Sequence, residues 1–238
     1  SLMIKYLTQI WNAKDLRSKI LFTLGMIVLF RLISHVTIPG IDTTGLKAIF
    51  AKNQVLGVFS ALTGGSMENF SIVLMGLSPY INASIIIQLL TVIFPRLESL
   101  QKEEGEQGRK KLNHYTRLLT IPLAFVQSYG MIFLLNSQSQ VPLISDIGNL
   151  QVILPIMLVV TAGSLLLMWI GELISEKGIG NGISILIFAG IISSIPTIMA
   201  QTLATVQNQT EKITPVIAMT LATVVLTVII ILVSEGFR

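Results

Sequence analysis

Residues 64–91 read GGSMENFSIVLMGLSPYINASIIIQLLT, a glycine-rich turn that runs straight into a stretch of bilayer length. No side chain across 71–94 is charged. A helix rising about 1.5 Å per residue over that length crosses a hydrocarbon core of roughly 30 Å. Yet the stretch holds Gly76, Pro79, Asn82, Ser84 and Gln88. A polar group left unsatisfied in lipid costs several kcal/mol, so a spanning helix interrupted in this way is expected to turn that side to protein or water. The sequence therefore places this segment along the lining of something.

The rest of the chain has the composition of a membrane protein. Of its 238 residues 52% are hydrophobic and 12% charged, with a mean hydropathy of +0.78. Ordinary soluble domains carry about a quarter charged residues. Apolar runs at about 20–38, 71–94, 118–135, 152–170, 183–200 and 215–233 each approach the length of a spanning helix, so six spans are expected. Unbroken runs such as VILPIMLVV (152–160) and VVLTVIIILV (224–233) lack the alternation of membrane β-strands. The fold class is all-α, a polytopic helical bundle.

Basic residues set the expected orientation, because cytoplasmic flanks carry the excess of Lys and Arg. Lys5, Lys14, Arg17 and Lys19 precede the first run; Arg96, Lys102, Arg109, Lys110, Lys111 and Arg117 surround the loop between the second and third; Lys177 and Arg238 follow the fourth and sixth. Only Lys47, Lys52 and Lys212 fall in the opposite loops. Both ends are thus assigned to the cytoplasm. The first run contains Arg31 and lacks a small-residue cleavage site, so it reads as a retained helix and not a signal peptide. Ahead of it, residues 1–19 interleave Leu2, Ile4, Tyr6, Leu7, Ile10, Trp11 and Leu16 with Lys5, Lys14 and Arg17, the pattern of a helix lying in the interface. Arg31 is expected either to snorkel or pair structurally, or to act in a transport path.

Catalytic and metal-binding patterns are not evident. The chain has no cysteine and two histidines, His35 and His114, which the topology puts at opposite faces. Neither HExxH nor GxxxxGK[ST] occurs. Gly178, Gly180 and Gly182 in EKGIGNGIS (176–184) lie between two membrane runs and read as a tight turn, with the next helix starting near Asn181. In the second run, Leu77, Ile81 and Ile85 recur every fourth residue; in the fifth, Ile183, Ile187 and Ile191 do the same. Ordinary packing accounts for such faces. Rings of branched aliphatic side chains from several helices also form constrictions that exclude water and ions. Residues 39–70 are too polar for a span and too apolar for a solvated loop. A short helix near 55–62, ended by Gly64 and Gly65, is expected either to re-enter the membrane region or to lie on the outer surface.

Three blocks carry a resemblance: FRLISHVTIPGID (30–42), EGEQGRKKLNHYTR (104–117) and LMWIGELISEKGIGNGISILIFAGI (167–191). Together with the opening stretch they closely resemble the SecY family, the channel-forming subunits of the protein translocase, and the likeness runs along essentially the whole chain. The resemblance implies a polypeptide-conducting channel of ten spans in two inverted five-helix halves. Residues 20–200 would form the first half, including a plug at about 55–70 whose candidate residues are Phe59, Gly64, Gly65, Ser66, Met67 and Asn69. Residues 201–238 would supply an outer loop, the sixth span and the start of a cytosolic loop. Leu77, Ile81 and Ile187 match the family's pore ring, and Asn82 and Gln127 are candidates along its lateral gate.

The same resemblance implies SecE and SecG as membrane partners, and the SecA motor ATPase or a ribosome docking near Arg109, Lys110, Lys111 and Lys177. Unfolded secretory polypeptides and signal sequences would be the substrates, with release of membrane segments into the lipid bilayer. No cofactor, metal or catalysis is expected, and the location implied is a bacterial inner membrane or a thylakoid. The family continues through four further spans beyond the sixth, so the other half of the gate is expected outside this sequence, and the leading Ser1 reads as a trimmed start. A secondary solute transporter with a discontinuous helix is the alternative; it requires convergent polar groups at its site. A membrane-embedded enzyme is a third reading, without a catalytic constellation to support it.

Overall fold

The computed structural model describes residues 2–41, 43 and 45–236; of Ala51, Gln54, Leu62, Gln201 and Thr205 only the backbone is described. Asp42, which closes the block 30–42, and Arg238 of the basic flank lie outside the described residues. The chain falls into two compact units, Ser1–Ser193 and Ser194–Arg238. Helices make up the first in the order α1 (Leu2–Asn12), α2 (Lys14–Ser34), α3 (Leu46–Lys52), α4 (Gln54–Leu62), α5 (Ser78–Ile93), α6 (Pro95–Lys102), α7 (Gly105–Gln138), α8 (Leu150–Lys177) and the start of α9 (Gly182–Asn208). The second unit takes the end of α9, a 3₁₀ turn at Thr210–Lys212 and α10 (Ile213–Gly236). Among the described residues the only β pairing is an isolated antiparallel bridge between Thr37 and Ser71.

The all-α class holds. Against the six expected runs, four helices among the described residues, α7, α8, α9 and the stretch through α10, are by length and composition alone long and apolar enough to cross a membrane. The pair α5 and α6, bent by 106°, makes a fifth if it counts as one span. α2 falls short by this measure because Lys14, Asp15, Arg17 and Lys19 fill its first turns and Arg31 its last, leaving only 20–30 uncharged. α1 is a separate helix with no buried residue.

The opening stretch does not form one helix. Residues 71–77 are a chain of turns, and α5 begins at Ser78, giving 16 helical residues. Gly76 has φ +57, so it cannot continue a right-handed helix, and Pro79 sits at the start of α5, where its missing N–H leaves nothing unsatisfied. Features that read as interruptions thus mark a beginning. The turns close on themselves through Leu74 N–H to Ser71 C=O, Gly76 N–H to Val73 C=O and Ser78 N–H to Met75 C=O.

Two buried clusters order the first unit. One gathers Leu46, Phe50 and Leu56 of α3 and α4 against Phe70, Ile132 and Ile153; the other joins Phe30, Val73, Leu77, Leu167, Ile170 and Leu186. Glycine sets the closest approaches. A Cβ at Gly163 of α8 would stand 1.8 Å from the Ile72 carbonyl oxygen, and one at Gly182 would stand 1.7 Å from that of Gly171. Backbones meet at both points, as small residues permit between membrane helices. Asn181 caps α9, its Oδ1 accepting from Ile183 N–H and Ser184 N–H, and Ser175 Oγ accepts from Gly182 N–H at 2.8 Å. The turn expected between the fourth and fifth runs is therefore present, with Gly180 at φ +65.

Gly182→Ala is expected to destabilise the detergent-solubilised protein by about 2 kcal/mol through overpacking, whereas Gly25→Ala, with no atom within 4 Å of its added Cβ, stays near neutral. Thermal unfolding of the two variants side by side checks this.

Candidate functional site

Leu77, Ile81 and Ile187 come together around a cavity of about 250 Å³. Phe59 and Met67 of the 59–70 segment wall it as well. Leu77 is the residue before α5, Ile81 lies one turn further on, and Ile187 reaches in from α9. None of the lining residues is charged. Its walls, apart from Thr63 and Ser78, offer water few hydrogen-bond partners. The repeating faces read from sequence contribute unequally: Ile85 and Ile191 do not line the cavity, and Ile183 packs on Gly171 instead.

The segment that walls the cavity is built around a helix end. Asn53 Oδ1 caps α4 by accepting from Val55 N–H and Leu56 N–H. Gly64 and Gly65, at φ +67 and +81, end it, with Gly65 N–H returning to the Ser60 carbonyl at 2.9 Å. Ser66 is buried and its Oγ donates to the Thr63 carbonyl; Asn69 Nδ2 donates to the Gly65 carbonyl. Phe70, at φ +46, then turns the chain back. The return is tied to the end of α2 by Ile38 N–H to Phe70 C=O, Ile72 N–H to Val36 C=O, Thr37 Oγ1 to Asn69 C=O and Ser71 Oγ to Ile33 C=O. The segment thus packs on the bundle through Leu56, Ser60, Met67 and Phe70, all buried, while Val55, Val58 and Phe59 stay exposed.

Arg31 is structurally paired. Its guanidinium donates to the Gly64 carbonyl at 2.6 Å, across 33 residues of sequence.

Asn82 and Gln127 do not line the cavity; Asn82 is exposed and Gln127 partly so. Arg109, Lys110 and Lys111 are exposed in the first turns of α7, and Lys177 is exposed in the last turn of α8. Lys110 pairs with Glu106 at 3.2 Å and Lys111 with Glu104 at 3.0 Å, while Arg109 and Lys177 make no ion pair among the described residues. Nearby, the hydrogen bond that the Lys102 ammonium donates to Glu98 holds its pKa above the usual value. Arg117 pairs with Glu172 at 2.6 Å and ties α7 to α8. Thr23 of α2 accepts from Ile179 N–H at 3.1 Å, which fixes the glycine turn to the bundle.

Several cavity residues had no distinguishing signal in the sequence, among them Phe30, Met75, Met131, Leu167 and Leu186. The three methionines on its wall, Met67, Met75 and Met131, are the feature that points to it, since flexible thioethers suit an irregular space.

With this geometry in place, a sequence model of the SecY family matches residues 71–238. The protein translocase subunit SecY of Bacillus licheniformis is 45% identical over 200 residues, 84% of this chain and 46% of that protein. The chain belongs to the SecY family. The SecY of Synechocystis is 39% identical over 232 residues, 97% of this chain and 51% of that protein. A solved structure described as a protein conducting channel aligns with a TM-score of 0.51 at 20% identity, over 75% of this chain and 37% of that one, a likeness of fold. The chain spans about half the length of the curated SecY relatives it matches. It is a multi-pass membrane protein of this family, and the SecY family model begins at Ser71, the residue bridged to α2.

Met67, 3% exposed on the cavity wall, tests the packing directly. Met67→Ala is expected to cost about 2–3 kcal/mol and Met67→Leu less than about 1.5, read from thermal unfolding in detergent.

Proposed function

We propose that this chain forms the first half of a protein-conducting channel that passes unfolded secretory polypeptides across a membrane and releases apolar segments sideways into lipid. The observation that carries the reading is the meeting of Leu77, Ile81 and Ile187 around one uncharged cavity whose other wall is the 59–70 segment. Leu77, Ile81 and Ile187 act as part of an aliphatic ring. In the resting state Phe59, Gly64, Gly65, Ser66, Met67 and Asn69 act as a plug against it.

Branched aliphatic side chains make no directional bonds, so a ring of them closes around an extended chain of any sequence and dewets when the chain leaves. The plug moves aside during transit. Asn82 and Gln127 lie along the lateral gate, where polar side chains meet a passing signal sequence before it enters lipid. The channel itself catalyses nothing. Energy comes from a ribosome or the SecA motor docking at Arg109, Lys110, Lys111 and Lys177, and the exposure of those four basic residues supports this. SecE and SecG are the membrane partners, the other half of the channel completes the ring and gate, and the location is a bacterial inner membrane with the N-terminus cytosolic.

A solute transporter is not favoured, because its site needs convergent charged or strongly polar groups and the cavity walls hold no charged side chain.

Single cysteines at Ile81 and Ile187 of the full-length protein, assembled with its partners, are expected to crosslink to a secretory precursor stalled in transit. The absence of crosslinks at both positions would remove them from the path. Deleting residues 59–69 is expected to raise resting ion conductance in planar bilayers, and unchanged conductance would overturn the plug.

A further inference from the structure

We propose that Arg31 is the latch of the 59–70 segment, a positioning residue that holds its turn in the resting state, and that the Thr37–Ser71 bridge is the hinge about which the turn swings. The inference rests on reading that segment as a movable plug.

The two attachments of the segment differ in kind. On the return side, four hydrogen bonds join residues 69–72 to Ile33 at the end of α2 and to residues 36–38 just after it, two of them backbone to backbone. Val73, fully buried, follows directly. At the turn, the bonds from Gly65 N–H to Ser60, from Ser66 Oγ to Thr63 and from Asn69 Nδ2 to Gly65 all stay within the segment, so they travel with it if it moves. Among the described residues, the hydrogen bond that ties this turn to α2 is the one from Arg31 to the Gly64 carbonyl at 2.6 Å. A set of four resists displacement where a single bond yields, which makes the return the pivot and the turn the moving end.

Gly64 fits this role in shape. At φ +67 its carbonyl faces the guanidinium, and an added Cβ would stand 3.1 Å from Arg31 Nη1 and 3.2 Å from the Gly190 Cα. The turn is seated between α2 and α9 with no room to spare. Carbonyls at the end of α4 also carry the negative end of its dipole, which favours a cation there.

The chemistry of the bond makes it responsive. A charge-assisted hydrogen bond is strong in a dry, low-dielectric site and weak once water competes for donor and acceptor. Arginine keeps its charge in either state. The pair is half-buried beside the cavity and not on its wall, so displacement of the segment by a hydrated polypeptide exposes donor and acceptor to water and weakens the bond further, and release once begun is reinforced.

This chain has no cysteine, so once any elsewhere in the full-length protein are replaced, a single introduced thiol reports on one place. In the full-length protein with its membrane partners in vesicles, Ser66→Cys would report the turn and Val73→Cys the hinge side, each read by the rate of reaction with a water-soluble maleimide. Arg31→Met is expected to speed labelling at position 66 by about tenfold, the scale of a lost charge-assisted hydrogen bond, and to leave position 73 protected. Arg31→Lys, which keeps a charged donor, should label more slowly than Arg31→Met. Unchanged labelling at position 66, or an equal rise at both positions, would overturn the latch. If Arg31→Met fails to assemble, Gly64→Ala disturbs the same contact from the other side and must show the same selective exposure. The plug reading fails separately: unchanged conductance after deletion of 59–69 removes the seal, while protected Ser66→Cys in Arg31→Met removes only the latch.

Discussion

In a lipid interior every backbone N–H and C=O must find its partner within the protein, and residues 63–77 are where this chain meets that demand without a helix. They do it with successive turns, each closing on its own carbonyls, and with bonds borrowed from the end of α2. Ser71 serves twice, its Oγ donating to the Ile33 carbonyl and accepting from Val73 N–H. The rest of the first unit is arranged so that this irregular strip can stay buried. α8 presents Gly163 where the strip crosses it, since any side chain there would strike the Ile72 carbonyl. α5 starts only after the strip ends, which leaves it 16 residues long and places Leu77 and Ile81 at the inner end of the segment beside Met67.

What the sequence disclosed follows from what is local. Apolar runs gave the helical class, and Asn181 with its neighbouring glycines gave the turn before α9, because hydropathy and capping act over a few residues. Gly76 and Pro79 were visible but ambiguous: a glycine and a proline near a helix read alike whether they break it or begin it, and the deciding fact is the backbone at Gly76. α2 began six residues earlier than its apolar run, since the basic first turns are good helix formers although poor membrane spanners. Pairings over long separations left no local trace. The partner of Arg31 lies 33 residues away and is a backbone carbonyl, to which any residue type contributes equally. Leu77, Ile81 and Ile187 were singled out through resemblance, while their meeting with Phe59 and Met67 around one cavity needed the fold.

Polar side chains within the long helices are mostly satisfied by their own turn. Thr116, Thr120 and Thr161 donate to carbonyls four residues earlier, and Ser128 to one three residues earlier. Hydroxyls treated this way cost little in lipid and leave helix faces free to pack closely. α10 is the opposite case, strongly apolar, with no buried residue, a surface suited to lipid or to another membrane helix.

Among the described residues, two buried hydroxyls have no partner, Ser60 on α4 and Ser164 on α8. An unmade hydrogen bond of this kind costs about 1–3 kcal/mol. Ser164 is next to Gly163, where α8 must come close to the strip, so its cost is tied to that approach. Ser60 lies on the helix that leads into the proposed plug, and water reaching it would relieve its cost at the same time as it loosens Arg31 from Gly64. In the proposed resting seal, apolar contact and one charged bond are weakened by water and one orphan hydroxyl is satisfied by it. All three respond to water in the same direction. A plug held in this way, as proposed, would need no group that recognises a polypeptide's sequence to release it.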